Sequence, residues 1–244
     1  MHPLPPTDLS QTFGHDPVDP AERERRIRAV FDAVARRYDL MNDLMSLGIH
    51  RRWKRRLAVL AAPRPGQTLV DVAGGTGDVA ALLAAPGRQV LVVDPSRPMM
   101  DVGRQRGLQH VQWLEGAAEA LPLPDASVDT LTIAFGIRNA TALPRALAEM
   151  HRVLKPGGRL LCLEFSTPAP WLRPAYRLFS RWVIPRLGAW IARAPGAYRY
   201  LVESIERFPD QRQFAHLVEQ AGFRHVRFEN LSFGIACIHS GVRP

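Results

Sequence analysis

Residues 71–78 read "DVAGGTGD" and place three glycines and a threonine between two aspartates, directly after the apolar run that starts at residue 67. Glycine permits the tight strand-to-helix turn at which open parallel sheets bind their ligands. The stretch from Gly75 to Ala80 fits G-x-G-x-x-A, and Asp94 ends the next apolar run twenty residues after Gly74, where a ribose-binding acid belongs. The sequence therefore predicts a nucleotide-binding loop between a strand and a helix.

The two carboxylates beside the loop indicate which nucleotide it binds. A dinucleotide would bring a pyrophosphate, and Asp71 and Asp78 would repel that charge. S-adenosylmethionine has no phosphate, and carboxylates favour its ammonium and sulfonium, while its ribose hydroxyls can still bond Asp94. The loop is thus expected to bind a cationic nucleoside. The alternative is that Asp71 only orients the loop through hydrogen bonds to the backbone.

Strands and helices alternate from residue 67 onwards. The predicted strands are 67–72, 89–94, 111–114, 128–135 and 159–165, and helix-compatible segments cover about 78–85, 97–106 and 141–154. Such alternation predicts βαβ units and a mostly parallel sheet. The C-terminal stretch "AHLVEQAGFRHVRFENLSFGIACIHSG" suggests one more helix followed by two strands joined as a hairpin. That hairpin would add an antiparallel edge and bring the sheet to seven strands.

The remaining segments frame this α/β unit. Residues 1–20 are expected to form a flexible tail, and 21–244 a single domain. An amphipathic helix is predicted from Ala21 to about Met41, and a second helix over 49–61. Residues 168–208 interrupt the alternation with a partly helical, aromatic, arginine-rich insertion, which is expected to cap the carboxyl edge of the sheet.

Composition restricts the cellular setting and the partners. The chain of 244 residues is 46% hydrophobic and contains two cysteines, which lie in apolar runs and are expected to be buried thiols. No cysteine–histidine spacing suggests a metal, no signal peptide is recognisable, and no apolar run approaches the eighteen or so residues of a membrane span. A cytoplasmic location is predicted. The net charge of +9 attracts phosphates, either of nucleic acid or of an anionic membrane.

Several longer motifs resemble one enzyme family. "DVAGGTGD", "VVDPS..MM", "AEALPLPDASVD", "FGIRN", "VLKPGGRLLCLEFS" and "YRYLVESIERFPDQ" together look like the ubiquinone/menaquinone biosynthesis C-methyltransferases, the UbiE/MenG family. The resemblance begins near "VFDAVARRYDLMNDLMSLGIHRRWK" and covers nearly everything after residue 25. The block around residues 30–54, "FGIRN" and "YRYLVESI" are narrower than general methyltransferase signatures.

The resemblance implies a class I S-adenosylmethionine-dependent methyltransferase with a Rossmann-like fold. It implies methylation of a ring carbon in a polyprenylated benzoquinol, in demethylmenaquinol, or in both. By the same resemblance, Thr76 and Asp94 contact the cofactor, and Ala117 and Ala118 occupy the positions that cover the adenine. Together with the residues discussed above, the expected cofactor set is Asp71, Gly74, Gly75, Thr76, Gly77, Asp94, Ala117 and Ala118.

Two positions depart from the family pattern. Ala117 stands where relatives often have an acid or a carboxamide that can bond the adenine amine, and Ala134 stands where a serine is common. One lost hydrogen bond costs about 1 kcal/mol net. Weaker cofactor binding is therefore expected, without loss of function.

Substrate chemistry singles out Arg138 in "FGIRN", just after the fourth predicted strand. Ionisation of a ring hydroxyl, whose pKa is about 10, pushes electron density onto the neighbouring carbon, and a fixed cation would stabilise that oxyanion. Arg138 is therefore predicted to be catalytic, with a structural salt bridge as the alternative. Further residues expected at the substrate pocket are Tyr38, Asp39, Asn42 and Asn139, and His50 and His151 are candidate bases, His151 more as a packing residue.

A prenylated substrate lies in a membrane, so peripheral contact with the inner face of an anionic membrane is predicted through the aromatic and arginine-rich insertion. Its aromatic residues could instead line the pocket. A quinone-biosynthesis complex and a homodimer are further candidate partners. Nucleic acid is not expected, because neither an "NPPY"-like motif nor a suitably placed cysteine is present. The alternatives are a different small-molecule methyltransferase and a non-catalytic cofactor-binding scaffold.

Overall fold

The predicted strands form one seven-stranded sheet. The computed structural model describes residues 11–183 and 195–244. The strands of the sheet are β3 (Thr68–Val72), β4 (Gln89–Asp94), β5 (Val111–Glu115), β6 (Val128–Ala134), β7 (Leu154–Phe165), β8 (Arg224–Leu231) and β9 (Ala236–Val242). The central strands β3 and β4 consist of consecutive buried residues because helices cover both faces of the sheet.

The strand order is β5-β4-β3-β6-β7-β9-β8. Strands β3 to β7 pair in parallel, whereas β9 is antiparallel to both β7 and β8. The predicted antiparallel C-terminal edge is therefore confirmed. The chain runs outward from β3 to β5 and then returns to β6, so the order reverses between β3 and β6. A crevice opens at the carboxyl ends of strands at such a reversal, and it is where ligands bind.

The helices of the described chain cover both faces of this sheet. They are α1 (Pro20–Val34), α2 (Tyr38–Ser46), α3 (Ile49–Ala61), α4 (Asp78–Leu83), α5 (Arg97–Gln105), α6 (Leu143–Val153), α7 (Arg173–Leu178), α8 (Pro195–Arg207) and α9 (Gln211–Gln220). Two apolar clusters pack on the sheet, one around Leu147 and Phe214 and the other around Leu57 and Leu83. Both cysteines are buried and free, as predicted.

The first amphipathic segment differs from the single helix predicted over 21–41. It consists of α1, a 3-10 turn at Ala35–Arg37 and α2. The turn is stabilised by a tertiary contact, because the Thr76 hydroxyl donates a hydrogen bond of 2.9 Å to Asp39 Oδ1 at the start of α2. Amphipathic spacing predicts a helical face, but it contains no information about a distant hydroxyl that redirects the chain.

The segments outside the α/β unit are only partly described. Of the expected tail over 1–20, residues 12–17 form a small hairpin of β1 (Thr12–Phe13) and β2 (Asp16–Pro17), and Phe13 stacks on Tyr200 at 4.4 Å. Residues 1–10 lie outside the described part of the chain. The expected insertion at 168–208 contains α7, a π-helical turn (Phe179–Val183) and α8, with 184–194 outside the description. The division into a tail and one domain remains a prediction.

Candidate active site

The glycine loop joins β3 to α4 at the crevice. Gly75 and Gly77 have φ angles of +55° and +79°, which favour glycine. A Cβ atom on Gly77 would lie 2.7 Å from the Trp113 ring, and one on Gly74 would lie 2.8 Å from Asp71 Oδ2. The glycines therefore allow the backbone to turn closely around a carboxylate, which matches the predicted loop.

Asp71 lies on the floor of this loop and is fully buried. It is the register partner of Thr132 on β6, whose hydroxyl donates a hydrogen bond of 2.8 Å to Asp71 Oδ1. Burial raises the pKa of Asp71 to about 7. An unpaired carboxyl in this position ionises more readily when a cation arrives, because the cation replaces the solvation that burial removed.

Asp94 ends β4 and fixes the loop from the other side. Its Oδ2 accepts a hydrogen bond of 2.8 Å from the Gly75 amide, and its Oδ1 accepts one of 2.8 Å from the Ser96 amide. Burial raises the pKa of Asp94 to about 6, although the hydrogen bonds from the two backbone amides favour the ionised form. The second lone pair of each oxygen has no described partner, so Asp94 can also accept hydrogen bonds from a ligand.

Asp78 does not act as the second free carboxylate that the sequence suggested. Its Oδ2 is 2.9 Å from Lys54 Nζ, and its Oδ1 is 2.7 Å from a guanidinium nitrogen of Arg106. Burial alone would raise the pKa of Asp78, but Lys54 and Arg106 outweigh it and hold the pKa at about 2. Asp71 and Asp94 are therefore the aspartates lining the loop cavity that form no ion pair within the described chain. The sequence could not reveal this, because Lys54 and Arg106 are distant in the chain.

We call the cavity at the glycine loop the loop cavity. Seven of the eight residues expected to contact the cofactor line it, namely Asp71, Gly74, Gly75, Thr76, Asp94, Ala117 and Ala118. Gly77 does not line the cavity but shapes the turn into α4. The structure thus brings the predicted set together around one space, although their contacts with a cofactor remain a prediction.

Two carboxylates from the N-terminal helices close onto the rim of the loop cavity. Asp32 of α1 accepts a hydrogen bond of 2.6 Å from the Ser96 hydroxyl, and Asp39 of α2 accepts the one from Thr76. Burial raises the pKa of Asp39, and the nearby Asp78 raises it further. Asp39 therefore supports the loop and does not line the substrate pocket expected for it. Neither contact had a recognisable signal in the sequence.

A second cavity of about 370 Å³ adjoins the first, and we call it the apolar cavity. Phe31, Tyr38 and Phe135 line both cavities, so the two spaces meet at these three rings. Most of the other lining side chains are aliphatic or aromatic, and they come from α1, α3, α7 and α8 together with the ends of β6 and β7. The predicted substrate residues Tyr38, Asn42 and Arg138 all line the apolar cavity.

Arg138 is the charged residue that lines the apolar cavity within the described chain, and it is only 5% exposed. Its Nη1 donates to Glu164 Oε1 at 2.8 Å and to the Phe135 carbonyl, and its guanidinium lies 5.5 Å from the centre of the Phe165 ring. Its buried Nε has no hydrogen-bond partner among the described atoms. The salt bridge considered as the alternative is therefore present, and a donor remains unused beside it.

Asn139 occupies a different place from the other predicted substrate residues. It lines the loop cavity instead of the apolar one, and its Oδ1 accepts a hydrogen bond of 2.9 Å from the Tyr200 hydroxyl. Arg23 of α1 donates to the carbonyl oxygens of Arg138 and Asn139, at 3.3 Å and 2.9 Å. These bonds fix the backbone of "FGIRN" between the two cavities. Arg23 and Glu164 were not anticipated from the sequence.

The two histidines considered as bases lie in different environments. His50 lines the apolar cavity, whereas His151 packs edge-on against Phe223 at 5.1 Å, away from both cavities. The packing role expected for His151 agrees with this position. Tyr176 also lines the apolar cavity, and burial raises its pKa to about 12, so its hydroxyl stays protonated. In the described part of the chain, no group of three potential ligands could hold a metal ion.

Solved structures resemble this chain in fold. A SAM-dependent methyltransferase from Thermotoga maritima superposes with a TM-score of 0.63 at 22% identity, covering 88% of this chain and 99% of that one. At this identity the likeness concerns the fold alone. It confirms the predicted class I, Rossmann-like methyltransferase fold.

Sequence comparison is more specific. The model of the ubiE/COQ5 methyltransferase family matches residues 20–243. A relative from Rubrivivax gelatinosus, named ubiquinone/menaquinone biosynthesis C-methyltransferase UbiE, is 69% identical over 98% of this chain and 95% of its own length. A relative of the same name from Caulobacter vibrioides is 47% identical over 96% of this chain and 98% of its own length. The chain therefore belongs to the ubiE/COQ5 methyltransferase family, which confirms the resemblance found in the sequence.

Proposed function

We propose that this enzyme transfers a methyl group from S-adenosylmethionine to a ring carbon of a polyprenylated quinol in ubiquinone or menaquinone biosynthesis. The observation that carries the proposal is the pair of adjoining cavities. One presents the buried carboxylates Asp71 and Asp94, and the other is apolar, with Arg138 as the one cation among its described lining residues. The names of the curated relatives support the same reaction.

The loop cavity fits the cofactor. S-adenosylmethionine supplies a methyl group on a positively charged sulfur, which makes that methyl a strong electrophile. Asp71 and Asp94 match the positive charge and the ribose hydroxyls, and both line the loop cavity beside glycines at which any Cβ would collide. Tyr38 and Phe135, shared by both cavities, would orient the quinol ring toward the loop.

Arg138 supplies what the ring carbon needs. A phenolate in an apolar cavity lacks solvating water, so a fixed cation stabilises it more strongly than in solution. The Nη1 atom of Arg138 is engaged by Glu164, but its Nε is not. Arg138 is fixed in place by its partners and retains a donor for an oxyanion. It remains protonated throughout, so it stabilises the charge and does not take the proton.

Variants at Arg138 and Glu164 test this role without confusing catalysis with folding. Arg138→Gln leaves Glu164 buried without a counter-ion, a change that costs about 3–5 kcal/mol of stability. The double variant Arg138→Gln/Glu164→Gln removes both charges and is expected to regain most of that stability. Methyl transfer should stay at least about a hundredfold below wild type in the double variant, with cofactor affinity close to wild type.

Glu164→Gln alone serves as the matched control, because it loses the counter-ion but keeps the guanidinium. It should lose stability yet retain more activity than the double variant. Methyl transfer is measured with a short-tailed quinol, cofactor binding by calorimetry, and stability by thermal unfolding. A stable double variant with nearly normal turnover would remove Arg138 from the mechanism.

The segments that line the apolar cavity also carry a group of exposed apolar side chains, which we call the apolar rim. Leu47 is 89% exposed, and the other members, Trp171, Leu178, Trp182 and Phe233, are 56–67% exposed. Leu47 itself lines the apolar cavity, and Trp171 contacts Phe233 at 5.2 Å, beside the cavity residues Leu172 and Ser232. The prenyl tail of the substrate is proposed to leave the cavity across this rim.

The rim is also proposed to rest on the cytoplasmic face of an anionic membrane. Exposed arginines Arg173 and Arg177 lie on α7 among the rim residues, and the net charge is +9. Among the described residues, no helix has both the length and the hydrophobicity to cross a bilayer. Flotation with vesicles rich in anionic lipid should carry the wild type upward at low salt.

The double variant Trp171→Ser/Phe233→Ser should float less than the wild type. Val59→Ser, which changes a side chain that is 65% exposed on α3 and does not line either cavity, should float normally. Wild type that stays in the bottom fraction would contradict membrane contact. A homodimer and a quinone-biosynthesis complex remain predictions from the sequence.

Two further measurements test the function as a whole. Calorimetry with S-adenosylmethionine, followed by a methyl-transfer assay on a short-tailed quinol, should show both binding and transfer. Binding without transfer would overturn the proposal and favour the scaffold alternative, for which the small residues Ala117 and Ala134 are the only support. The quinone precursor that accumulates in a deletion strain identifies the acceptor as a benzoquinol, a naphthoquinol or both.

A further inference from the structure

His50 is a buried polar residue of the apolar cavity to which the mechanism above gives no role. It lies in the first turn of α3, directly after a tight turn in which Leu47 and Gly48 have positive φ angles. Its side chain is enclosed, with 3% of the residue exposed, and it lines the same cavity as Arg138 and Tyr38. Buried polar atoms in proteins are normally hydrogen-bonded, so each ring nitrogen of a buried imidazole is expected to have a partner.

The hydrogen bonds around His50 determine its tautomer. The Ser46 hydroxyl lies 2.7 Å from the Asn42 carbonyl oxygen and 2.7 Å from His50 Nδ1. A hydroxyl has one proton, and a carbonyl oxygen can only accept, so Ser46 donates to Asn42. Toward His50 the Ser46 oxygen can then only accept. The imidazole proton is therefore on Nδ1, and Nε2 carries a lone pair.

This lone pair has no donor among the described atoms. His50 Nε2 is buried without a hydrogen-bond partner among the described atoms, and Asp43 Oδ1 lies 3.8 Å away, beyond hydrogen-bond distance. Asp43 is itself an acceptor, and both of its oxygens are bonded by Arg51 at 2.5 Å. Burial and the neighbouring cation Lys54 lower the pKa of His50 to about 4, against the weaker opposing effects of Asp43 and Asp78. The ring is neutral at neutral pH.

We propose that His50 Nε2 accepts a hydrogen bond from a ring hydroxyl of the substrate, and that this contact makes the enzyme select the reduced quinol over the oxidised quinone. A quinol hydroxyl can donate to Nε2. A quinone has only carbonyl oxygens, so its lone pairs would face the lone pair of Nε2 with no proton between them. The inference rests on the proposed function, which takes the quinol as acceptor, and it assigns to His50 the discrimination between that quinol and the quinone.

Arg138 and His50 would then divide the recognition of the ring. Arg138 is only a donor, so it can donate to a neutral hydroxyl of the quinol and to a carbonyl oxygen of the quinone alike. It cannot distinguish the two redox states. A neutral acceptor can, because sites built around a substrate hydroxyl strongly reject analogues that leave the buried group unpaired. We expect quinol to bind roughly tenfold to a hundredfold more tightly than quinone.

The test measures binding, which is independent of turnover. The full-length enzyme, saturated with S-adenosylhomocysteine, is titrated under strictly anaerobic conditions with a geranyl-substituted 1,4-benzoquinol and, separately, with the corresponding quinone. Wild type should prefer the quinol. His50→Leu should lose the preference, mainly through weaker quinol binding. His50→Gln, whose amide oxygen can accept a hydrogen bond, should recover part of it.

His151→Leu is the matched control, because His151 also has a buried Nε2 without a partner but lies outside both cavities. It should keep the full preference for quinol. Ser46→Ala, which frees the tautomer of His50, should lower the preference less than His50→Leu does. Thermal unfolding of each variant checks that the fold is intact.

The outcomes separate this inference from the proposed function. If wild type methylates the quinol but a folded His50→Leu variant discriminates as wild type does and without change in quinol affinity, the role of His50 is overturned and the function stands. If wild type binds quinone as tightly as quinol, the redox selectivity is overturned. If wild type neither binds the quinol nor methylates it, the proposed function and this inference both fail.

Discussion

The loop cavity and the apolar cavity meet at Phe31, Tyr38 and Phe135, but they are built in opposite ways. The loop cavity contains short local motifs at the ends of β3 and β4 and the turn at Ala117 and Ala118, and residues of α1, of α2 and of the segment 134–141 contribute to its lining. The apolar cavity is assembled from side chains of five separate helices and of the ends of three strands, and no two neighbouring segments suffice to enclose it. This difference explains why most residues of the predicted cofactor set could be identified from the sequence, whereas most residues of the apolar cavity could not.

The two cavities also differ in electrostatics. In the loop cavity, Asp71 and Asp94 are buried carboxyls that form no ion pair within the described residues, and burial raises both pKa values, although Lys54 partly offsets the rise for Asp71. In the apolar cavity, Arg138 is a buried cation that Glu164 balances. Ionisation of Asp71 and Asp94 is therefore unfavourable until a cation binds in the loop cavity, whereas the charge of Arg138 is already balanced by Glu164. The following predictions test that difference.

The largest expected effect is a pH dependence of stability that belongs to Asp71. Its pKa is raised to about 7 in the folded protein, so the folded state holds its proton more tightly than the unfolded state does. The stabilisation that protonated Asp71 contributes is fully present below the ordinary aspartate pKa, and it is lost as the pH rises through about 7. The loss is on the order of 4 kcal/mol. Asp71→Asn should abolish it, while its Oδ1 can still accept the bond from Thr132.

Asp78→Asn is the control with the opposite sign. The pKa of Asp78 is lowered to about 2, so the stability that it contributes is present at neutral pH and is lost only as the pH falls below about 4. Free energies of unfolding of the ligand-free enzyme, measured by denaturant titration from about pH 2.5 to about pH 8, distinguish the two variants. If the unfolding free energies of wild type and Asp71→Asn changed with pH in the same way, the raised pKa of Asp71 would be contradicted.

Asp94→Ala should weaken cofactor binding by about a hundredfold, because it removes a charged acceptor for the ribose and releases the Gly75 and Ser96 amides. Binding of a prenylated quinol analogue in the apolar cavity should change little. Calorimetry with each ligand alone measures both effects. An equal loss for both ligands would indicate that the two cavities are one cooperative unit.

Leu201→Trp is the converse change. Leu201 lies on α8 and lines only the apolar cavity, so a larger ring there should reduce kcat/KM for a short-tailed quinol by about thirtyfold through lost space. The dissociation constant of S-adenosylmethionine should stay within about twofold of wild type. Steady-state kinetics and calorimetry provide the two numbers. A large loss of cofactor affinity would contradict the separation of the cavities.

The smallest expected effect is a gain. Ala117→Gln should strengthen cofactor binding by about fivefold, because a carboxamide at this position of the loop cavity could bond the adenine amine, an interaction worth about 1 kcal/mol. Ala118→Gln is a suitable comparison, since Ala118 packs partly against the apolar core. No gain in Ala117→Gln would show that the adenine does not lie at this turn.

The sequence predicted the α/β alternation, the antiparallel edge and most of the loop cavity, since these depend on local signals. Periodicity identifies strands and helices, and glycine identifies a turn. Two predictions from the sequence were wrong. One was a single continuous helix where α1 and α2 are separate, and the other was a free Asp78, which Lys54 and Arg106 neutralise. Both errors have one cause, because ion pairs and hydrogen bonds between distant segments leave no periodic pattern.

What the sequence determined by itself is therefore the order of the elements and the position of the loop that turns around Asp71, because neighbouring residues and their backbone preferences set both. Only the tertiary structure decided which charges remain unpaired, where Arg138 finds Glu164, and that Ser46 fixes the proton of His50 on Nδ1. These features depend on distances of about 3 Å between atoms of different segments. Such distances are fixed only when the folded chain packs these segments against one another.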